Sequence, residues 1–309
     1  MDKFMTVLQI IFPIFTAILL GILARCKRMI TVEEVKGLQQ YAMKFGLPCV
    51  LFNSCLTSNL GTESLTSMAL LLPLVLVSSA WAFRARKKLF KYHNLPMLFS
   101  AQESGMLGIP LFMALFGAEQ AYRVGVFDMT QSLIAIPVIA ILMADAGTNP
   151  SVPDIAKKVV QSPLLIMSIL GLVLNLSGAA NFLNQIGIGN IITETTGFLA
   201  QPVSAVILFS VGYNFSLNKD NLGQIVKISA IHFVLFVIFG LIMQGVMLLL
   251  PSVDTETKWA ILIYSTLPPS FLSPGLGKKE EEYTVASGVC SLLTVISLMI
   301  FCVVAIGVA

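Results

Sequence analysis

Ten apolar stretches divide the chain, near residues 4–24, 36–57, 65–83, 95–116, 121–144, 158–177, 193–215, 223–250, 258–276 and 284–307, with polar runs between them. Each is close to the ~20 residues with which a helix crosses a ~30 Å hydrocarbon core at ~1.5 Å per residue. None alternates with the period of two that marks a barrel strand, and only helices or closed barrels satisfy their backbone in lipid. The pattern predicts an all-α polytopic membrane protein with ten transmembrane helices. The run 181–193 is apolar but Gly-rich and too short to span. It reads as an interfacial stretch leading into the seventh helix. The first stretch is flanked by Arg25, Lys27 and Arg28 rather than a small-residue cleavage site, so it reads as a retained helix, not a signal peptide.

Charge adds orientation. Arg25, Lys27, Arg28 and Lys36 fall near the first connection, and Arg84, Arg86, Lys87, Lys88 and Lys91 near the third. Lys157, Lys158, Lys219, Lys227, Lys278 and Lys279 fall near the fifth, seventh and ninth. All but Lys3, Lys44, Arg123 and Lys258 of the 19 Lys and Arg residues therefore sit near odd connections. The positive-inside rule makes those connections cytoplasmic and both termini external, as an even helix count requires. The location expected is the plasma membrane.

Interruptions add a repeat. The second and seventh stretches carry Pro48 and Pro202, while the fourth and ninth carry Gly105–Pro110 and Pro268–Pro269. Paired breaks in two halves point to a transporter's binding site. The division predicted is 1–146 as a first five-helix repeat, 147–157 as a cytoplasmic linker and 158–309 as a second, inverted repeat.

Composition excludes an ordinary soluble domain. The 309 residues are 56% hydrophobic and 11% charged, against roughly 25% charged in soluble proteins. Cys26, Cys49, Cys55, Cys290 and Cys302 are odd in number, lack metal-type spacing and read as free thiols. There is no HExxH, Gly-x-Ser-x-Gly, Walker loop or GxGxxG, and His93 and His232 cannot assemble a histidine cluster. An enzyme is not expected. Lys278–Glu282 reads as a solvated turn.

The residues that could carry chemistry lie in the fourth and fifth stretches. Two glycines and a proline between Gly105 and Pro110 make a poor continuous helix, near the expected midplane. Pro110 suits the first turn of a half-helix whose N–H groups face the membrane centre. A ninth helix broken in the same way would present a second such end, and together they would suit an anionic group. Glu103 beside the break is costly at that depth, by ~2.5–3.5 kcal/mol on insertion scales. It reads as a titrating or substrate-contacting group, or else as a neutral or paired structural carboxyl. Asp128 is a coupling candidate or a structural partner of Arg123. Asn53, Gln201 and Asn214 are more often interhelical contacts than ligands, and His232 is a weak candidate.

Gly108-Ile109-Pro110-Leu111 with Leu115-Phe116-Gly117, Phe45-Gly46-Leu47-Pro48 and Leu267-Pro268-Pro269 resemble, in order, segments of the auxin efflux carrier family. The resemblance runs along the whole chain. It implies two inverted five-helix repeats, a scaffold and a transport domain, broken helices 4 and 9 that cross, and elevator-like alternating access. It implies a secondary transporter of a small organic solute, an organic anion such as a carboxylate. The expected substrate contacts are Glu103, Ser104, Gly105, Gly108, Pro110, Pro268, Pro269 and Asn53, with Glu103 and Asp128 for ion coupling. One departure stands out: Glu103 occupies the place of a carboxylate-contacting asparagine, and Ser104 that of a threonine. Either Glu103 is protonated in the cycle, a cation neutralises it, or the substrate bears an amine. No cofactor is expected; the coupling ion is H+ or Na+. The partners expected are the solute and the lipid bilayer, with no nucleic acid and a homodimer left open. A carrier resembling the bile-acid/sodium symporters, and a non-transporting sensor or membrane enzyme, are the alternatives.

Overall fold

The computed structural model describes residues 2–57, 62–86, 92–131, 161–215, 221–249 and 253–308. The helices in order are α1 (Asp2–Cys26), α2 (Val32–Tyr41), α3 (Leu47–Thr57), α4 (Thr62–Ala85), α5 (Leu95–Leu98), α6 (Ile109–Phe116) and α7 (Tyr122–Thr130). There follow α8 (Pro163–Leu176), α9 (Ala179–Gln185), α10 (Ile188–Ala200), α11 (Val203–Asn214), α12 (Leu222–Met247), α13 (Thr255–Thr266) and α14 (Glu280–Val308). Among the described residues, five spans are long and apolar enough to cross a membrane, six if the bent pair α8 and α9 is counted as one. The remaining predicted stretches are interrupted, shorter, or reach beyond the described residues, as the fifth does after Gln131 and the linker 147–157 does entirely.

Proline explains most of the interruptions. Its ring crowds the carbonyl four residues back and it has no N–H to give. Ahead of Pro48 the helix widens into one π turn, Ala42–Gly46, with Leu47 N–H bonded to the Ala42 carbonyl. Ser104–Gly108 does the same ahead of Pro110, with Ile109 N–H bonded to the Ser104 carbonyl. Pro202 separates α10 from α11. The stretch expected to lie in the interface is divided between two helices. α9 bends away from α8 by 80°, but Ile188 onward already belongs to α10. Gly187 at φ 77° makes the turn between α9 and α10, a left-handed conformation natural to glycine.

Large apolar side chains lie exposed, and several polar ones are buried within an otherwise apolar core. Phe12, Phe198 and Leu249 are 69%, 76% and 81% exposed, while Gln102, Glu103, Asp128 and Gln131 are buried. That inversion suits a hydrocarbon surround, where interior polar groups bond one another.

Two helix pairs approach backbone to backbone, and they do so alike. α1 packs on α11, and α8 on α3. A Cβ on Gly21 would collide with the Phe209 carbonyl and come to 2.7 Å from Tyr213 N. A Cβ on Gly171 would lie 2.5 Å from the Phe52 carbonyl and 3.2 Å from Cys55 Cβ. One turn on, Arg25 Nη1 donates to the Tyr213 and Phe215 carbonyls at 3.3 and 2.6 Å. Asn175 Nδ2 correspondingly donates to the Cys55 carbonyl at 3.0 Å.

The run Lys278–Glu282 is not simply solvated. Glu282 is buried and accepts from the N–H groups of His93 and Lys278 at 3.1 and 2.8 Å. Its carboxylate thereby ties the start of α14 to the approach to α5.

Candidate functional site

The two broken segments meet. Glu103 N–H donates to the Pro268 carbonyl at 2.8 Å and Ser270 N–H to the Ala101 carbonyl at 2.9 Å, making an antiparallel bridge at Gln102 and Pro269. Pro268 and Pro269 cannot donate, so α13 ends at Thr266 and Leu267 turns extended, as a residue before proline tends to. The segment then continues only as a 3-10 turn, Pro274–Leu276. This corrects one expectation. The half-helix at α6 does direct its N-terminal end to the break, but α13 brings its C-terminal carbonyls there, not a second N-terminus. Gln102 answers them. With its amide nitrogen turned to those carbonyls it donates to Leu267 at 3.1 Å and Pro268 at 2.9 Å.

Glu103 closes the arrangement. One carboxylate oxygen, Oε1, accepts from Met106 N–H at 3.2 Å, and the other, Oε2, accepts from Phe271 N–H at 2.5 Å. The N–H groups expected to receive an anion at these breaks are thus already taken by a carboxyl group of the chain itself.

A second carboxylate stands nearby. Asp128 Oδ1 accepts from the Ser104 hydroxyl at 2.7 Å. A Cβ on Gly105 would come to 3.3 Å from the same oxygen, so a larger residue there would crowd it. Arg123 is not its partner: Arg123 Nη2 pairs with Asp254 Oδ2 at 2.6 Å, far along the chain. Gln131 knits the rest together. Its Nε2 donates to the Gln102 carbonyl and the Ser104 hydroxyl at 2.7 and 2.6 Å, and its Oε1 accepts from Gln102 N–H and Tyr264 OH, both at 3.0 Å.

Gln102, Glu103, Asp128 and Gln131 line a cavity of about 830 Å³ together with Ser270, Phe271, Cys290 and Thr294. Arg25, Lys36 and Asn214 also line it, and Arg25 and Lys36 are exposed. Glu103 and Asp128, at 7% and 8% exposure, form the buried end. A separate cavity of about 620 Å³ is lined by Asn53, Glu119, Glu194, Gln201 and Ser204.

The sequence-derived set is therefore gathered in part. Glu103, Gly105 and Asp128 face the larger cavity, Ser104 bonds to Asp128 beneath it, and Pro268 and Pro269 form the bridge. Gly108 is a packing position, where a Cβ would lie 2.8 Å from Leu267 Cδ1. Pro110 is buried in the first turn of α6. Asn53 lies apart, on the smaller cavity, where its Oδ1 accepts from Thr196 Oγ1 at 2.6 Å. His232 is buried between the Phe99 and Phe236 rings, with centroids 5.5 and 4.5 Å away. Phe271 and Tyr264 were not anticipated: a backbone N–H carries no residue signature, and a tyrosine in an apolar run reads as packing. Gln131 was visible only as one of several polar residues around Asp128.

Comparison with known proteins points to membrane transport. The sequence profile of a family described as membrane transport protein matches residues 6–307. A protein of Methanothermobacter thermautotrophicus described as an uncharacterized transporter is 22% identical over 308 residues, covering 96% of each chain.

Proposed function

The chain belongs to the membrane transport protein family, the auxin efflux carriers, and we propose that it is a secondary active transporter of a small organic solute held where segments 4 and 9 meet. The observation that carries this reading is the bridge at Gln102 and Pro269 beside a cavity lined by buried polar groups. Irregular backbone at membrane depth is tolerated where it is buried in protein or lines a wet cavity.

The ten-helix, inverted-repeat plan is part of the proposal. The likeness of α1 on α11 to α8 on α3 supports it, since an inverted repeat exchanges the first helix with the sixth and the second with the seventh. Gly21 against Phe209 is matched by Gly171 against Phe52, and Arg25 on Tyr213 by Asn175 on Cys55. The bridge is reciprocal in the same sense. These glycine-mediated contacts suit a scaffold, and the remaining elements suit a transport body that moves against it.

The two cavities suit alternating access. The larger carries Arg25 and Lys36, which the positive-inside rule assigns to the cytoplasm, so the conformation is inward-facing with both termini outside. The cavity with Glu119 and Glu194 would then be the external vestibule. Coupling is to H+ or Na+ through Glu103 and Asp128.

Purified protein in proteoliposomes tests the proposal. Labelled organic acids, amino acids and amines are supplied with and without proton and sodium gradients. Saturable, gradient-driven accumulation of one class is the expected outcome. Absence of flux for every class would leave a sensor or enzyme as the better reading.

A further inference from the structure

Resting on that reading, we infer that the transported solute enters the cavity with an ammonium group foremost, as an amine or an amine-bearing acid, and that Glu103 is a resident anion in the seat a substrate carboxylate would need. A break in a membrane helix attracts anions because its freed N–H groups point at the ligand. Two such groups are at hand here, Met106 N–H and Phe271 N–H. Glu103 takes both, one with each oxygen. Both oxygens of the Glu103 carboxyl are thereby used as acceptors.

Asp128 places a second carboxylate on the same cavity. Arg123 is paired with Asp254 and with neither cavity carboxyl. Arg25 is committed to the Tyr213 and Phe215 carbonyls at the cavity's exposed end. Two buried carboxyl groups thus share the cavity, and among the described residues neither is ion-paired with a basic side chain. Like charges in a site of low effective dielectric repel strongly, and a carboxylate arriving there would be a third. An ammonium would supply the missing counter-charge and offer its three donors to acceptors such as the Glu103 and Asp128 oxygens. Arg25 and Lys36 are exposed residues of the same lining, so a zwitterion fits with its amine at the buried carboxyl groups and its carboxylate toward those two cations.

Three probes separate the classes: n-butylamine, 4-aminobutyrate and malonate, each titrated against the full-length protein in detergent while thermal unfolding is followed. Specific binding raises apparent stability by mass action. The expected result is saturable stabilisation by n-butylamine or 4-aminobutyrate and none by malonate. Glu103→Gln and Asp128→Asn should each weaken amine binding by about thirtyfold or more, the loss expected when one partner of a buried charge pair is removed. Glu103→Asn should admit malonate. Probe-free unfolding reports whether each variant folds, and Asp128→Asn decides the matter if the Glu103 variants do not. Stabilisation of the wild type by malonate, or by none of the probes, overturns the inference, as does unchanged amine binding in Asp128→Asn. Malonate flux in proteoliposomes would overturn the ammonium class while leaving the carrier standing, whereas absence of any solute flux would overturn the carrier itself.

Discussion

Arg123 and Asp254 clasp the first turns of α7 and α13, with Nη2 2.6 Å from Oδ2 and Nη1 2.8 Å from Oδ1. Thr257 Oγ1 accepts a further bond from Nη1 at 2.6 Å, and Asp254 caps α13 by accepting from Thr257 N–H at 2.8 Å. The clasp fixes the two helices that bring Asp128 to the cavity and Tyr264 to Gln131.

It should make stability depend on acid. Burial pushes the Asp254 carboxyl up, but the Thr257 hydroxyl and N–H and the Arg123 guanidinium outweigh it and hold it below the usual aspartate range. A value depressed by folding contributes stability above the unfolded value of about 3.9 and loses it as pH falls through the folded value. Thermal unfolding followed from about pH 7 to about pH 3 should therefore decline less steeply in Asp254→Asn than in the wild type. Parallel curves would show that the clasp contributes nothing.

The close helix pairs give a steric prediction. Gly21→Ala and Gly171→Ala should each destabilise by about 1–3 kcal/mol, because a methyl must push apart two backbones that have no flexible side chain to yield. Gly245→Ala, which meets nothing within 4 Å, should be neutral or stabilising by up to about 1 kcal/mol. Unfolding midpoints of the three variants check this, and equal effects at all three positions would refute it.

Pro268 and Pro269 should be needed for flux rather than for folding. Replacing both with Ala restores two N–H groups and lets α13 extend, which removes the carbonyls that Gln102 and Glu103 N–H engage. The double variant should insert in the membrane yet lose transport by at least about tenfold, on the scale of a displaced binding geometry. Wild-type flux from it would take segment 9 out of the site.

Orientation can be read by thiol labelling. In a background with Cys26 replaced, single cysteines at Asn59 and Pro251 should react with an impermeant reagent in intact cells. Cysteines at Lys88 and Lys158 should react only after permeabilisation. The opposite pattern would invert the inward-facing assignment.

What the sequence announces and what it conceals divides on physical lines. Breaks at Gly105–Pro110 and Pro268–Pro269 are legible because glycine and proline act through their own covalent structure wherever they stand. Glu103 is legible because a charge in an apolar run is costly. Its binding partner is not, since Phe271 contributes a backbone N–H that any residue but proline possesses. Arg123 was open to pairing with Asp128, a near neighbour in sequence; only the fold brings Asp254 to it. Asn53 sits at an expected depth, yet depth along a helix does not reveal which of two cavities its face meets. The polarity of α13 at the break was misread for a related reason: a proline pair marks an end of a helix without saying which side of it stays helical.

An unwound stretch within a membrane is also a hazard, because unpaired amides and carbonyls offer water and protons a ladder between compartments. The two strands at Gln102 and Pro269 turn those groups on each other, with Glu103 N–H on the Pro268 carbonyl and Ser270 N–H on the Ala101 carbonyl. The Gln102 amide covers what the prolines leave open. The place where the helices are weakest is thereby also insulated. A carrier so built can keep its binding site irregular without short-circuiting the gradient that drives it.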